Sequence, residues 1–121
     1  MQLSISLRRV ATVLAWVLER ATGRRYPDIL EDELWSRIGA EHDAFVTVDE
    51  SGFASANGGV SVSLRDLARF GHLVLNGGSV GEHRACSPAW AAHIRAGTDP
   101  KLMRETDFGQ EFPEGSYCAK W

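Results

Sequence analysis

Residues 10–21 place the first constraint on this chain. Val10, Val13, Leu14, Val17, Leu18 and Ala21 recur at i, i+3, i+4, i+7, i+8 and i+11. That spacing gathers all six on one stripe of an amphipathic α-helix. Thr12, Ala15, Glu19 and Arg20 fall off the stripe. A helix with such a face needs a partner layer to cover it. Gly23 follows as a C-terminal stop, and Arg24 and Arg25 sit near the negative end of the helix dipole. A secretion signal is the competing reading, because Arg8 and Arg9 precede the apolar stretch from Val10 to Leu18. Glu19 and Arg20 stand where a cleavage site needs small residues. The periodic helix is therefore preferred, with the cytoplasm as the default compartment.

The chain has 121 residues, of which 44% are hydrophobic and 24% charged. This is enough for one domain with a core, so residues 1–121 are expected to form a single unit. Thirteen basic against sixteen acidic residues leave a charge of −3. That balance gives no electrostatic reason to bind nucleic acid or an anionic membrane. No apolar run approaches the ~20 residues needed to span a bilayer. Cys86 and Cys118 are too few for a disulfide scaffold, although one bridge between them stays open.

The remaining elements follow from local signals. Tyr26-Pro27-Asp28 opens a second helix, with Pro in the first turn and Gly39 as its end. The acids Asp28, Glu31, Asp32 and Glu33 read as dipole-complementing charge on a solvated face rather than as metal ligands. Phe45-Val46-Thr47-Val48 is a short strand, Asp49 to Gly52 a turn, and Phe53 onward a possible return. Gly58-Gly59 allows positive φ or a close backbone approach, and Val60 and Val62 alternate with serines as in a strand. Ser63 is a helix N-cap with Asp66 three residues later, close to a capping box. That helix runs through Leu75 to Asn76-Gly77-Gly78. Ser87-Pro88 starts another helix, which Gly97 closes. From Thr98 onward the pattern reads as loop.

Tests for chemistry in the residues themselves give little. Gly58-Gly59 lacks the Lys and the following helix of a phosphate loop. His42, His72, His83 and His93 are scattered, so no metal site is expected. Gly-x-Ser-x-Gly does not occur, and no Ser is followed by Lys at the third position. The nearest string, Thr98-Asp99-Pro100-Lys101, is interrupted by a Pro that should spoil a helical turn. Ser55-Ala56-Asn57 reads as turn chemistry.

Two passages carry more. One is Val13-Leu14-Ala15-Trp16-Val17-Leu18-Glu19-Arg20-Ala21-Thr22-Gly23-Arg24. The other is Gly58-Gly59-Val60-Ser61-Val62-Ser63-Leu64-Arg65-Asp66-Leu67-Ala68-Arg69-Phe70-Gly71, followed by Asn76-Gly77-Gly78. Together they resemble the serine β-lactamase-related hydrolases, the group of class C β-lactamases, DD-peptidases and esterases. The likeness is nearest to the 6-aminohexanoate-dimer hydrolase branch and runs from about Thr12 to Trp121.

The resemblance implies an α+β fold, mostly helical here, with one or two short strands. This would be part of the helical region of a β-lactamase/transpeptidase-like domain, with residues 1–11 divergent. It implies acyl transfer to the Ser of a Ser-x-x-Lys motif, aided by a Tyr, on a small amide or ester, without metal or organic cofactor. The Ser-x-x-Lys motif is absent, the stretch Ser6 to Ala11 holds no Tyr, and the third family motif is expected beyond Trp121. The chain is thus expected to be an internal piece with no catalytic residue and no activity alone. Tyr117 and Trp121 are the candidate substrate-lining residues, with aromatic packing as their alternative role. Ser63 and Asp66 are expected to cap their helix. A non-catalytic helical interaction module, self-associating through uncovered apolar surface, is the rival reading.

Overall fold

The computed structural model describes residues 2–106 and 109–118, with side chains from residue 10 onward. It is α+β and mostly helical. The order is α1 (Gln2–Thr22), α2 (Tyr26–Glu33), a 3-10 turn (Trp35–Arg37), β1 (Phe45–Val46), β2 (Val60–Ser61), α3 (Leu64–Leu75), β3 (Ser79–Val80), β4 (His83–Arg84), α4 (Pro88–Ala96) and α5 (Pro100–Arg104). The strands form two antiparallel pairs, β1 with β2 and β3 with β4. Residues divide into two compact units, Met1–Gly71 and His72–Trp121, the division falling within α3.

In the first unit, α1 turns its small side toward its neighbours. Ala15 is buried, and Trp16 meets Phe53 edge-on at 5.9 Å. Glu19 accepts from the backbone N–H of Tyr26 at 2.8 Å, so an α1 carboxylate satisfies an orphan donor at the start of α2. The stripe read from the sequence is present but faces outward. Val10, Val13, Leu14, Val17 and Leu18 are each 45 to 56% exposed. Periodicity locates an apolar face; which face the neighbours cover is decided by the residues they bring. Here the close approach is made at Ala15, where a small side chain admits it.

The second helix is shorter than its sequence pattern. It stops at Glu33, and Leu34 leads into the 3-10 turn, with Ile38 buried behind it. Two of the acids on α2, Asp32 and Glu33, work as ion-pair partners. Arg24 pairs with Asp32 and, at 3.6 Å, with Glu33, while Arg37 reaches Glu33 at 3.0 Å. β1 covers only Phe45–Val46, paired with Val60–Ser61. Val48 makes an isolated bridge to Ala54, so the return after the turn is a single bridge rather than a strand. Asp49 organises that turn by accepting from the N–H groups of Ser51 and Phe53, both at 2.9 Å. The Phe53 and Ser51 hydrogen bonds hold its carboxyl below the usual range. Gly58 and Gly59 both take positive φ, and a Cβ on Gly59 would collide with Thr47.

In the second unit, α3 ends in a Schellman motif. The Gly78 N–H donates to the Leu73 carbonyl at 2.9 Å, and the Gly77 N–H to that of Val74 at 3.2 Å. The Gly78 carbonyl then accepts from Ala85 at 2.9 Å and Cys86 at 3.3 Å. These bonds anchor the hairpin of β3 and β4, in which Ser79 pairs with Arg84 and Val80 with His83. Sequence reasoning passed over this hairpin, although Gly81 in a two-residue loop was its signal. Ser87 caps α4 by accepting from the Trp90 N–H at 3.1 Å, and Ala91 is completely buried. The turn from Thr98 to Lys101 is not helical, since Thr98 and Asp99 stand outside the helix, but Pro100 starts a helix of its own. Asp99 caps α5 by accepting from the Lys101 N–H at 2.9 Å, and Pro stands at a position whose N–H has no intrahelical partner. The loop expected from Thr98 onward therefore contains a short helix. Cys86 and Cys118 are both free thiols.

Candidate functional site

The most organised polar cluster surrounds Asp66. Its helix begins after Ser63, whose hydroxyl accepts from the Asp66 N–H at 3.1 Å. In a standard capping box, the third residue's side chain would reach back to the cap backbone. Asp66 instead turns its carboxylate across the chain. Oδ1 accepts from the Glu41 N–H at 2.9 Å and from Arg69 at 3.0 Å. Oδ2 accepts from the Ser63 hydroxyl at 2.7 Å and lies 3.4 Å from His42 Nδ1. Arg69 also pairs with Glu41, and Arg65 stands 3.6 Å from the same carboxylate.

Asp66 is the one fully covered charged residue among those described. Its electrostatics are dominated by hydrogen bonding. The Glu41 N–H and then the Ser63 hydroxyl hold its carboxyl down to about 2 against the opposing effect of burial, with His42 and Arg69 adding to the lowering. The carboxylate is ionised at neutral pH and both of its oxygens accept hydrogen bonds. This geometry suits a strut that ties the segment around Glu41 to α3. It does not suit a proton-transfer group, which needs a titration near the working pH and a face toward substrate.

The other sequence candidates are separate from this cluster. Tyr117 is half exposed, and its carbonyl accepts from the Thr98 hydroxyl at 3.3 Å. Trp121 lies outside the described residues. Ser55 donates to Asn57 Oδ1 at 2.9 Å within the turn that precedes β2. One pairing was not visible in the sequence: Cys118 Sγ lies 3.2 Å from His93 Nε2, across 25 positions. Among the described residues no three His, Cys, Asp or Glu side chains gather as a metal site, and no helix is long and apolar enough to cross a membrane.

A capped Leu-Arg-Asp-Leu-Ala-Arg-Phe-Gly helix after a Gly-Gly strand, closed by a Gly-Gly Schellman turn, defines a structural class rather than an active site. The Beta-lactamase family model matches residues 10–113, and the chain belongs to that family. Among characterised proteins, it is 46% identical over 109 residues to a 6-aminohexanoate-dimer hydrolase of Paenarthrobacter ureafaciens. The match covers 90% of this chain and 28% of that relative, so the chain spans well under a third of the relative's length.

Proposed function

We propose that this chain is the helix-rich segment of a β-lactamase-related serine hydrolase, of the lineage that cleaves amides or esters through an acyl-serine intermediate. The 46% identity to a 6-aminohexanoate-dimer hydrolase carries this reading. The segment supplies framework: α3 and its Asp66 strut hold the Glu41 segment in place. It supplies no nucleophile, because none of its serines has Lys three residues on. Losing the nucleophile of a serine hydrolase removes most of its rate enhancement. We therefore infer that the 121-residue chain does not hydrolyse amides or esters by itself. Its location under this reading is the cytoplasm, which cell fractionation checks.

Incubation with an acylating β-lactam and with a fluorophosphonate, followed by intact mass, tests the inference. The expected spectrum shows the unmodified chain only. A stoichiometric adduct on one Ser would overturn it. The outward apolar stripe of α1 favours a second reading, a non-catalytic interaction module, in which binding is the chain's whole activity.

A further inference from the structure

We propose that Asn57 is a self-modification site, at which the folded chain converts asparagine to aspartate or isoaspartate through a cyclic imide with the help of the Ser55 hydroxyl. The chain holds two asparagines, and both begin the same tripeptide, Asn57-Gly58-Gly59 and Asn76-Gly77-Gly78. A glycine after asparagine presents a backbone nitrogen with no side chain beside it, so the local sequence permits ring closure at either site. The fold separates them. Asn57 and Gly58 are exposed in the turn that precedes β2. The Ser55 hydroxyl donates to Asn57 Oδ1 at 2.9 Å. Among the described residues no hydrogen bond engages the Gly58 N–H. The Gly77 N–H, in contrast, donates to the Val74 carbonyl at 3.2 Å in the Schellman motif. Asn76 Nδ2 lies 2.7 Å from His72 Nε2, a contact on the leaving nitrogen rather than on the carbonyl.

The step needs only water as co-reactant. Gly58 N attacks Asn57 Cγ, and its proton passes to solvent. As the new C–N bond closes the ring, the Cγ–Nδ2 bond breaks, and the nitrogen takes a proton from solvent and leaves as ammonia. Water then adds to either imide carbonyl and opens the ring, leaving aspartate or isoaspartate at position 57. Nothing is oxidised or reduced. Negative charge develops on Oδ1 as the nitrogen adds, and a hydroxyl already donating to that atom stabilises it. At Asn76 the attacking nitrogen must first leave its bond to Val74, and a contact on the leaving nitrogen does not help a ring that is not closing. The product carries a new negative charge and loses the Nδ2 that reaches Thr12 at 3.5 Å. Isoaspartate also lengthens the main chain just ahead of Gly59, whose carbonyl accepts from the Thr47 N–H at 2.9 Å beside the β1–β2 pair.

The full chain is aged in mildly alkaline buffer, with and without urea, then digested with trypsin and weighed. Asn57 falls in the peptide 38–65 and Asn76 in the peptide 70–84, each with no other asparagine. Loss of ammonia and gain of water raises the mass of a peptide by about 1 Da. In the folded chain the peptide 38–65 is expected to shift about tenfold faster than 70–84, because one hydrogen bond changes a rate by about 2- to 10-fold and two differ here. In urea the two rates should converge, with 38–65 slower than in the folded chain and 70–84 faster. Ser55→Ala should slow 38–65 in the folded chain by about 2- to 10-fold, whereas Ser55→Thr, which keeps the hydroxyl, should retain the rate. Equal rates in the folded chain, or a faster Asn76, would overturn the site. A ratio that is the same in buffer and urea would do so too, because the fold would then not be its origin. A folded-chain rate at Asn57 no higher than its rate in urea would overturn the role of Ser55, and this wild-type comparison decides it even where Ser55→Ala fails to fold.

Discussion

Gly77 and Gly78 are adjacent glycines, yet their replacement by Ala should have different consequences. Gly77 has φ 68° and Gly78 φ 84°, so both lie where an L side chain is strained. That strain costs about 1–2 kcal/mol at either position. A Cβ on Gly77 meets nothing within 4 Å, so strain is its whole cost. A Cβ on Gly78 would lie 2.7 Å from the Cys86 carbonyl oxygen and closer still to Cys86 Sγ. The sulfur can swing away. The carbonyl cannot do so freely, since the Ala85 and Cys86 N–H groups beside it both donate to Gly78. Overpacking of this kind adds about 1–3 kcal/mol. Gly78→Ala is therefore expected to cost roughly 2–5 kcal/mol against about 1–2 for Gly77→Ala. Urea unfolding followed by far-UV circular dichroism measures both. With a slope of about 1–3 kcal/mol per molar urea, the two midpoints should separate by roughly 1 M. A Gly78→Ala sample already unfolded in buffer would still rank as the larger loss. Equal midpoints, or a greater loss at Gly77, would refute the steric reasoning.

Other expectations follow from the same structure. The Asp66 carboxyl is held at about 2, below its ordinary 3.8. Its contribution to stability is thus complete above about pH 4 and lost as the pH falls toward 2. Asp66→Asn should destabilise the chain at pH 7 and converge with the wild type at pH 2, and urea midpoints that stay parallel across this range would contradict the role of the charge. Ser87→Ala removes the acceptor for the Trp90 N–H and should cost about 1 kcal/mol, read from the urea midpoint. Trp16 meets Phe53 edge-on, so Phe53→Leu should cost roughly 0.5–1.5 kcal/mol beyond the area lost and shift the tryptophan emission. An unchanged spectrum would mean that the ring contact does not form in solution.

Much of the architecture is legible in local chemistry. Ser63 and Ser87 as N-caps, Pro at the first helical turn, and Asn76-Gly77-Gly78 as a stop all act within a few residues, so their effects can be read without the fold. The stretch after Thr98 reads as loop by the same signals, because a Pro that breaks a turn and a Pro that begins one differ only in whether a cap such as Asp99 precedes it. The β3–β4 hairpin was missed because its strands are two residues long, too short for alternation to show. The tie between Asp66 and Glu41 spans 25 positions and the Cys118–His93 approach another 25; neither has a sequence period to announce it.

The sequence by itself determined the family and the helical register of α1, because identity at matched positions and apolar spacing are properties of the string. Only tertiary structure decided which side of α1 is covered and what Asp66 does. A hydrophobic stripe states that a face prefers to leave water, but coverage depends on which neighbour can approach, and here the approach is made at Ala15. An Asp at the third position of a helix can bond its own cap or reach beyond it. The Glu41 N–H and the Arg69 guanidinium, brought beside it by folding, gave its carboxylate partners that no local rule could supply.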